Sequence, residues 1–222
     1  MLQGFFVTGT DTNVGKTVVA AALMHRLRGP RRPRYWKPVQ TGIEQDDDTA
    51  VVRLLGSCAE AELLNEGVRL PRPLSPHLSA RLAGQRIELE PLARLIAAQP
   101  ETSGWVVEGA GGALVPLNET QLMTDLMARL GLPVVVTARS GLGTINHTLL
   151  TLEALRRRAL PVAGVVMVGE PDRENRAAIE RFGEVPVLGE MPRFARLTPE
   201  ELGCWARAEL DPSGLLTKFL HD

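Results

Sequence analysis

Near the start of the chain, Gly9 to Thr17 reads GTDTNVGKT, behind an apolar run and ahead of a helical pattern. A glycine, a lysine and a hydroxyl residue in succession at a strand-to-helix junction suit a polyphosphate. The backbone at Gly15 can approach an anion closely and the helix N-terminus offers it free N–H groups. Lys16 reaches the β- and γ-phosphates, and Thr17 can ligate Mg²⁺. The spacing departs from the usual phosphate-loop pattern by one place, because Thr10 stands where the first glycine is expected and the glycine is Gly9.

A Mg²⁺-phosphate site needs a carboxylate. The apolar run Trp105-Val106-Val107 is followed by Glu108 and then by Gly109-Ala110-Gly111-Gly112. A carboxylate at the carboxyl end of a parallel strand lies at the edge where such sheets bind ligands. The expectation is a strand that ends at Glu108 and a glycine loop that passes close to nucleotide. Lys37, within YWKPVQTG from Tyr35 to Gly42, ends a second strand and aims its ammonium at the same site. Two lysines plus Mg²⁺ exceed what nucleotide binding alone requires, which points to an anionic acceptor meeting the γ-phosphate. A carboxylate or carbamate oxygen is already nucleophilic and needs no general base, unlike an alcohol.

Asp46-Asp47-Asp48 precedes a helical stretch from Thr49 to Leu55. Its carboxylates either cap that helix or add a metal ligand, capping being the commoner use. Gly141 to His147, GLGTINH, again joins a strand to a helix, so its amides can hold a substrate carboxylate, while His147 itself reads as structural.

These residues need a scaffold, and the periodicity supplies one. Short, Val-rich, non-alternating runs at Phe5–Thr8, Tyr35–Pro38, Trp105–Glu108, Pro133–Ala138, Val162–Val168 and Val185–Leu188 read as parallel strands buried on both faces. Between them, Lys16–Arg28, Leu89–Ala98, Thr120–Leu130, Thr144–Arg158 and Arg173–Phe182 carry helical spacing, and the segment from Thr198 onward also looks helical. Alternating units of this kind predict an α/β fold of three layers, a central mostly parallel sheet flanked by helices, with residues 1–222 as a single domain. Pro71 to Pro76 reads as an ordered turn region rather than a linker.

With 44% hydrophobic residues the chain can bury a sizeable core, and a formal net charge of -1 gives no broad attraction to nucleic acid or anionic membrane. Arg28, Arg31, Arg32 and Arg34 form a local basic cluster, interrupted by Pro30 and Pro33, that reads as a solvated loop. Cys58 and Cys204 lie far apart, with no metal-ligand spacing, which fits a reducing cytoplasm. A strand-like run begins at Phe5 and no apolar run is long enough to span a membrane, so neither a secretory leader nor a membrane helix is expected.

Taken together, GTDTNVGKT, KPVQTG, the Asp48 region, LSPHLSA from Leu74, VEGAGG from Val107 and GTINHTLLTLEAL from Gly143 closely resemble dethiobiotin synthetase, a P-loop enzyme family. The matches run through most of the chain in order. The resemblance implies closure of a ureido ring: 7,8-diaminononanoate, CO₂ (or bicarbonate) and ATP give dethiobiotin, ADP and phosphate through a carbamate and a carbamic-phosphoric mixed anhydride. It makes Lys37 and Lys16 the catalytic lysines, and Thr17, Asp48 and Glu108 the Mg²⁺ ligands. Nucleotide would be held by Asn13, Val14, Gly15, Lys16, Thr17 and Val18, by Asp48, Glu108, Gly109, Ala110 and Gly111, and at the base by Val168, Gly169, Pro192, Arg193 and Phe194. Substrate would meet Thr12, Lys37 and Thr41, with Gly143, Thr144, Ile145 and Asn146 of one subunit of a homodimer receiving the tail carboxylate bound to the other.

Two places depart from the family. Asn13 stands where members often carry Glu, and Val168-Gly169 stands where they commonly place Asn-Asp to read adenine. A valine side chain cannot hydrogen-bond a base edge, so relaxed base selectivity is expected. The rival class is a nucleotide-switched partition or positioning ATPase, which usually carries an extra lysine early in the loop, where this chain has Asp11 and Thr12. A glutamine-dependent amidating ligase would bring a glutaminase domain, for which 222 residues leave no room.

Overall fold

Strands that are apolar at every position, rather than at every second one, need cover on both faces. The computed structural model describes residues 2–29, 32–100 and 104–220. In chain order the elements are β1 (Gly4–Gly9), α1 (Lys16–Arg26), β2 (Arg34–Trp36), β3 (Val39–Thr41), α2 (Asp48–Leu55), β4 (Leu63–Leu64), β5 (Val68–Leu70), α3 (Pro76–Leu82), α4 (Leu89–Ala97), β6 (Trp105–Gly112), α5 (Met123–Leu130), β7 (Val134–Arg139), α6 (Thr144–Arg156), β8 (Val162–Val168), α7 (Arg173–Gly183), β9 (Val187–Met191) and α8 (Pro199–Ala208).

Seven strands form one sheet in the order β4-β2-β6-β1-β7-β8-β9, and every pairing in it is parallel. The pleat sends alternate side chains to opposite faces. Phe5, Val7, Tyr35 and Val106 pack with α1, α2 and α8, while Phe6, Trp36, Val107 and Val134 pack with α4, α5, α6 and α7. The expected three-layer architecture is therefore present, with strand ends shifted by a few residues.

Three features differ from the sequence reading. β6 does not end at Glu108. It continues to Gly112, because the glycines still pair with β1 through Gly9 and Gly112 beyond an irregularity after Val7. Glu108 is consequently fully buried inside a strand. A small second sheet, β3 paired in parallel with β5, was not expected, and neither was β4. Finally, the proline-rich turn runs into the short helix α3 at Pro76.

The arginine cluster is tied down rather than displayed. Arg28 donates to the carbonyls of Gly56 and Ser57, Arg32 pairs with Glu62, and Arg34 bonds Gln99 and lies over the Trp105 ring. Arg31 and Pro30 lie outside the described residues. Among those described, Cys58 is buried, Cys204 is exposed, both are free, and no helix is long and apolar enough to cross a membrane.

Candidate active site

The carboxyl ends of β1, β2 and β6 meet where α1 begins, so residues far apart in sequence converge. Gly15 caps α1 with φ +97°, a conformation that glycine tolerates and other residues resist. Asn13, in the same loop, has φ +56°, and asparagine is among the few side chains that occupy that region readily. This local requirement gives a physical reason for asparagine at the position, independent of any direct contact with ligand.

Lys16 is the first residue of α1 and donates to the carbonyl of Asp11 at 3.0 Å. One residue on, the Thr17 hydroxyl lies 2.9 Å from Asp48 Oδ1 and 3.0 Å from Glu108 Oε1. Lys37, just past β2 and only 3% exposed, sits 2.6 Å from Asp48 Oδ2 and 2.8 Å from Glu108 Oε1, and it donates to the carbonyl of Gly109 at 3.0 Å. Tyr35 completes the cluster by donating its phenolic hydrogen to Glu108 Oε2 at 2.8 Å. The three aspartates divide their work: Asp47 caps α2 by accepting from the Ala50 amide, which leaves Asp48 free to face the loop.

Burial and charge compete at each titrating group. For Lys16, burial and then the nearby charge of Lys37 push the ammonium down to about 8. Burial alone would also lower Lys37, but Glu108 and Asp48 outweigh it and hold that ammonium above its ordinary range. The converse holds for Asp48, where burial favours the neutral acid and the Lys37 charge overrides it, so the carboxyl lies below its ordinary range. Tyr35 is raised well above a normal phenol, first by burial and then by the Glu108 charge, and so remains a hydrogen donor. Without ligand, the positive charge of Lys37 is thus not in surplus but offset by Asp48 and Glu108.

A cavity of about 870 Å³ opens over this cluster. Of the expected residues it brings together Thr12, Asn13, Gly15, Lys16, Thr17, Val18, Lys37, Thr41, Asp48, Glu108, Ala110 and Gly111. Asp46, one of the carboxylates the sequence offered as a metal ligand, also lines it, as do Gln40, Gln45 and the Pro73–Pro76 loop, which the sequence did not single out as ligand contacts. Gly109 takes part only through its carbonyl. A second cavity of about 290 Å³ is lined by Val14, Thr144, Val168, Gly169 and Arg193, among others. Gly143, Ile145, Asn146, Pro192 and Phe194 line neither cavity, and Phe194 packs against the core beside α1. His147, read as structural, is exposed on α6. Val168 lies against the loop, since a Cβ built on Gly15 would come within 3.2 Å of its Cγ1.

Among the described residues no three His, Cys, Asp or Glu side chains converge as a protein-only metal cage. Mg²⁺ does not need one, because it is commonly held by one or two carboxylates together with substrate phosphates. Thr17, Asp48 and Glu108 bring side-chain oxygens together that could hold such an ion. The hydroxyl has one hydrogen and two carboxylates within bonding distance, so hydrogen bonding alone cannot satisfy both contacts at once. An all-oxygen set of this kind fits a hard divalent cation.

A parallel sheet with a phosphate-binding loop between its first strand and first helix, and with carboxylates at the loop's floor, defines a P-loop nucleotide-dependent protein. A family model described as an AAA domain matches residues 3–201. The chain is 50% identical to the ATP-dependent dethiobiotin synthetase BioD of Agrobacterium fabrum over 89% of its length and 90% of that protein. With the enzyme of the same name from Paramagnetospirillum magneticum it shares 51% identity over 89% of this chain and 91% of the relative. The chain belongs to the ATP-dependent dethiobiotin synthetase family. Its fold is also shared with a ParA family ATPase from Chlorobium tepidum (TM-score 0.58, 12% identity, covering 99% of this chain and 97% of the other). The septum site-determining protein MinD of Pyrococcus horikoshii, complexed with Mg-ADP, is similar at TM-score 0.58 and 14% identity, covering 99% and 95%. At those identities the likeness is one of fold alone.

Proposed function

We propose that the cleft between Lys16 and Lys37 phosphorylates a carbamate formed from 7,8-diaminononanoate, and that the remaining amine then closes the ureido ring. As a member of its family the chain is an ATP-dependent ligase of dethiobiotin synthesis in biotin biosynthesis. The observation that carries the chemical course is the placement of Lys37, a buried ammonium held against Asp48 and Glu108 beside the phosphate loop.

One amine adds to CO₂ and loses a proton, giving the carbamate. A carbamate oxygen attacks the γ-phosphorus of ATP and ADP departs, leaving the carbamic-phosphoric anhydride. The second amine attacks the carbamoyl carbon, phosphate leaves and a proton is lost. Lys16 holds the phosphates, while Lys37 suppresses repulsion between carbamate and γ-phosphate and stabilises the charge that develops between them. No residue has to serve as general base in the phosphoryl step, which agrees with a cluster whose carboxylates are committed to Lys37 and Thr17. Thr17, Asp48 and Glu108 are the residues that would hold Mg²⁺, which when bound neutralises phosphate charge. With those carboxylates so engaged, the Lys37 charge is left for the acceptor.

Thr12 and Thr41, at the cavity wall, would meet the diamine, and Gly143 to Asn146, which are not part of that wall, would receive a tail carboxylate from the second subunit of a homodimer. Base contacts fall to Val168, Gly169 and the segment from Pro192 to Phe194, where no side chain at Val168 can read adenine. The reading treats residues 1–222 as one domain and, through the family's biosynthetic role, places the protein in the cytoplasm. Purified protein with Mg-ATP, bicarbonate and the diamine should release ADP only when the diamine is present. Equal ADP release without it would sink the reading.

A further inference from the structure

Tyr35 sits at a position where packing alone calls for an aromatic ring and not for a hydroxyl. It is fully buried in the core beside α1, among Phe5, Val106 and Leu63. A phenolic hydroxyl in such surroundings is unfavourable unless it is paired. Its partner is Glu108 Oε2, at 2.8 Å. The sheet register explains how the two meet. Tyr35 stands opposite Val106, and Glu108 lies two residues further along β6 on the same face. A diagonal neighbour of this kind is within reach of an aromatic side chain and beyond that of a short one.

The carboxylate of Glu108 is itself fully buried, so each of its oxygens needs a donor. Oε1 has Thr17 and Lys37, and among the described residues Oε2 has Tyr35 alone. Without the phenol the carboxylate could turn about its last torsion, which is broad and roughly two-fold. At torsions between its two equivalent orientations neither oxygen would face Thr17 squarely. From this we infer that Tyr35 is a positioning residue: by saturating Oε2 it fixes Oε1 toward Thr17, Asp48 and Lys37, in the orientation a divalent cation requires. This rests on the reading of Thr17, Asp48 and Glu108 as the metal-holding set. Outer partners that orient a metal ligand in this way are typically worth tenfold to a hundredfold in metal affinity.

Tyr35→Phe keeps the ring and removes the donor. Binding of Mn²⁺ to the ADP complex, followed by electron paramagnetic resonance, should weaken tenfold to a hundredfold in the variant. The KM for Mg²⁺ should rise in parallel, the KM for diaminononanoate should stay within about twofold, and kcat should recover at saturating Mg²⁺. Unchanged Mn²⁺ binding overturns the proposal, as does a kcat that excess Mg²⁺ fails to restore. Loss of cooperative thermal unfolding would make the phenol structural and overturn it as well. Failure of the wild-type protein to form dethiobiotin would strike the proposed function instead, and the Mn²⁺ comparison would still report on Tyr35.

Discussion

Raising the pH from 7.5 to 9.5 should remove the charge from Lys16 and leave Lys37 charged. Lys16 is 7% exposed, and burial with the neighbouring Lys37 charge brings its ammonium from 10.5 to about 8. At 1.36 kcal/mol per pH unit, that interval corresponds to about 3 kcal/mol stored against the charged form. Nucleotide phosphates relieve it, so the bound state keeps Lys16 protonated. The free protein is about three-quarters charged at this residue at pH 7.5 and only about 3% charged at pH 9.5, and affinity for a non-hydrolysable ATP analogue should fall roughly 25-fold between them. Lys37, held above its ordinary range by Glu108 and Asp48, keeps its charge over the same interval. The sign for stability is opposite. A folded pKa below the unfolded one means that the folded state binds fewer protons between about 8 and 10.5, so this group's contribution to stability rises with pH there and the lost affinity is not unfolding. Isothermal titration calorimetry in two buffers of different ionisation enthalpy should register close to one proton taken up per nucleotide bound at pH 9.5. Lys16→Gln should bind about 1.5–3 kcal/mol more weakly at pH 7.5 and show no such pH dependence. A wild-type affinity that stays flat to pH 9.5, with Lys16→Gln still weakened, would show that Lys16 does not lose its charge in this interval.

Lys37→Met should lower kcat by roughly a hundredfold or more, on the order of 3 kcal/mol, while nucleotide affinity changes little, as read by steady-state kinetics and calorimetry. The same variant leaves the buried Glu108 and the half-buried Asp48 side by side without their cation, so its melting temperature without ligand should fall and Mg²⁺ should raise it more than in the wild type. With Val168 at the end of β8, the preference for ATP over GTP and CTP in kcat/KM should stay well below about a hundredfold, the upper part of what a bidentate base contact supplies; a larger preference would mean that other groups read the base. Asp47→Ala removes the α2 cap and should cost about 1 kcal/mol in urea unfolding, with the activity change confined to the metal dependence because Asp48 opens the same helix.

Much of this site was legible because its residues sit at junctions that sequence marks clearly. Gly15, Lys16 and Thr17 follow a buried strand and open a helix, Lys37 follows an aromatic strand, and Asp48 opens an amphipathic helix. What escaped was settled by contacts across the sheet. Glycine at Gly109, Gly111 and Gly112 signals a loop locally, yet their pairing beside β1 extends β6 and buries Glu108 inside it. Strands of two or three residues, such as β4 and β5, are too short to carry a period. Tyr35 reads as one more apolar strand residue until the register places Glu108 on its diagonal. Which aspartate caps and which faces the loop was likewise open until the backbone of α2 fixed its first turn.

In the proposed reaction the nucleophile toward the γ-phosphate is a carbamate oxygen rather than water. In a rapid single turnover with ¹⁸O-labelled bicarbonate, before exchange with solvent, one labelled oxygen should pass to inorganic phosphate and one should remain in the ureido carbonyl of dethiobiotin. Unlabelled phosphate formed alongside labelled dethiobiotin would rule the carbamate oxygen out as the nucleophile.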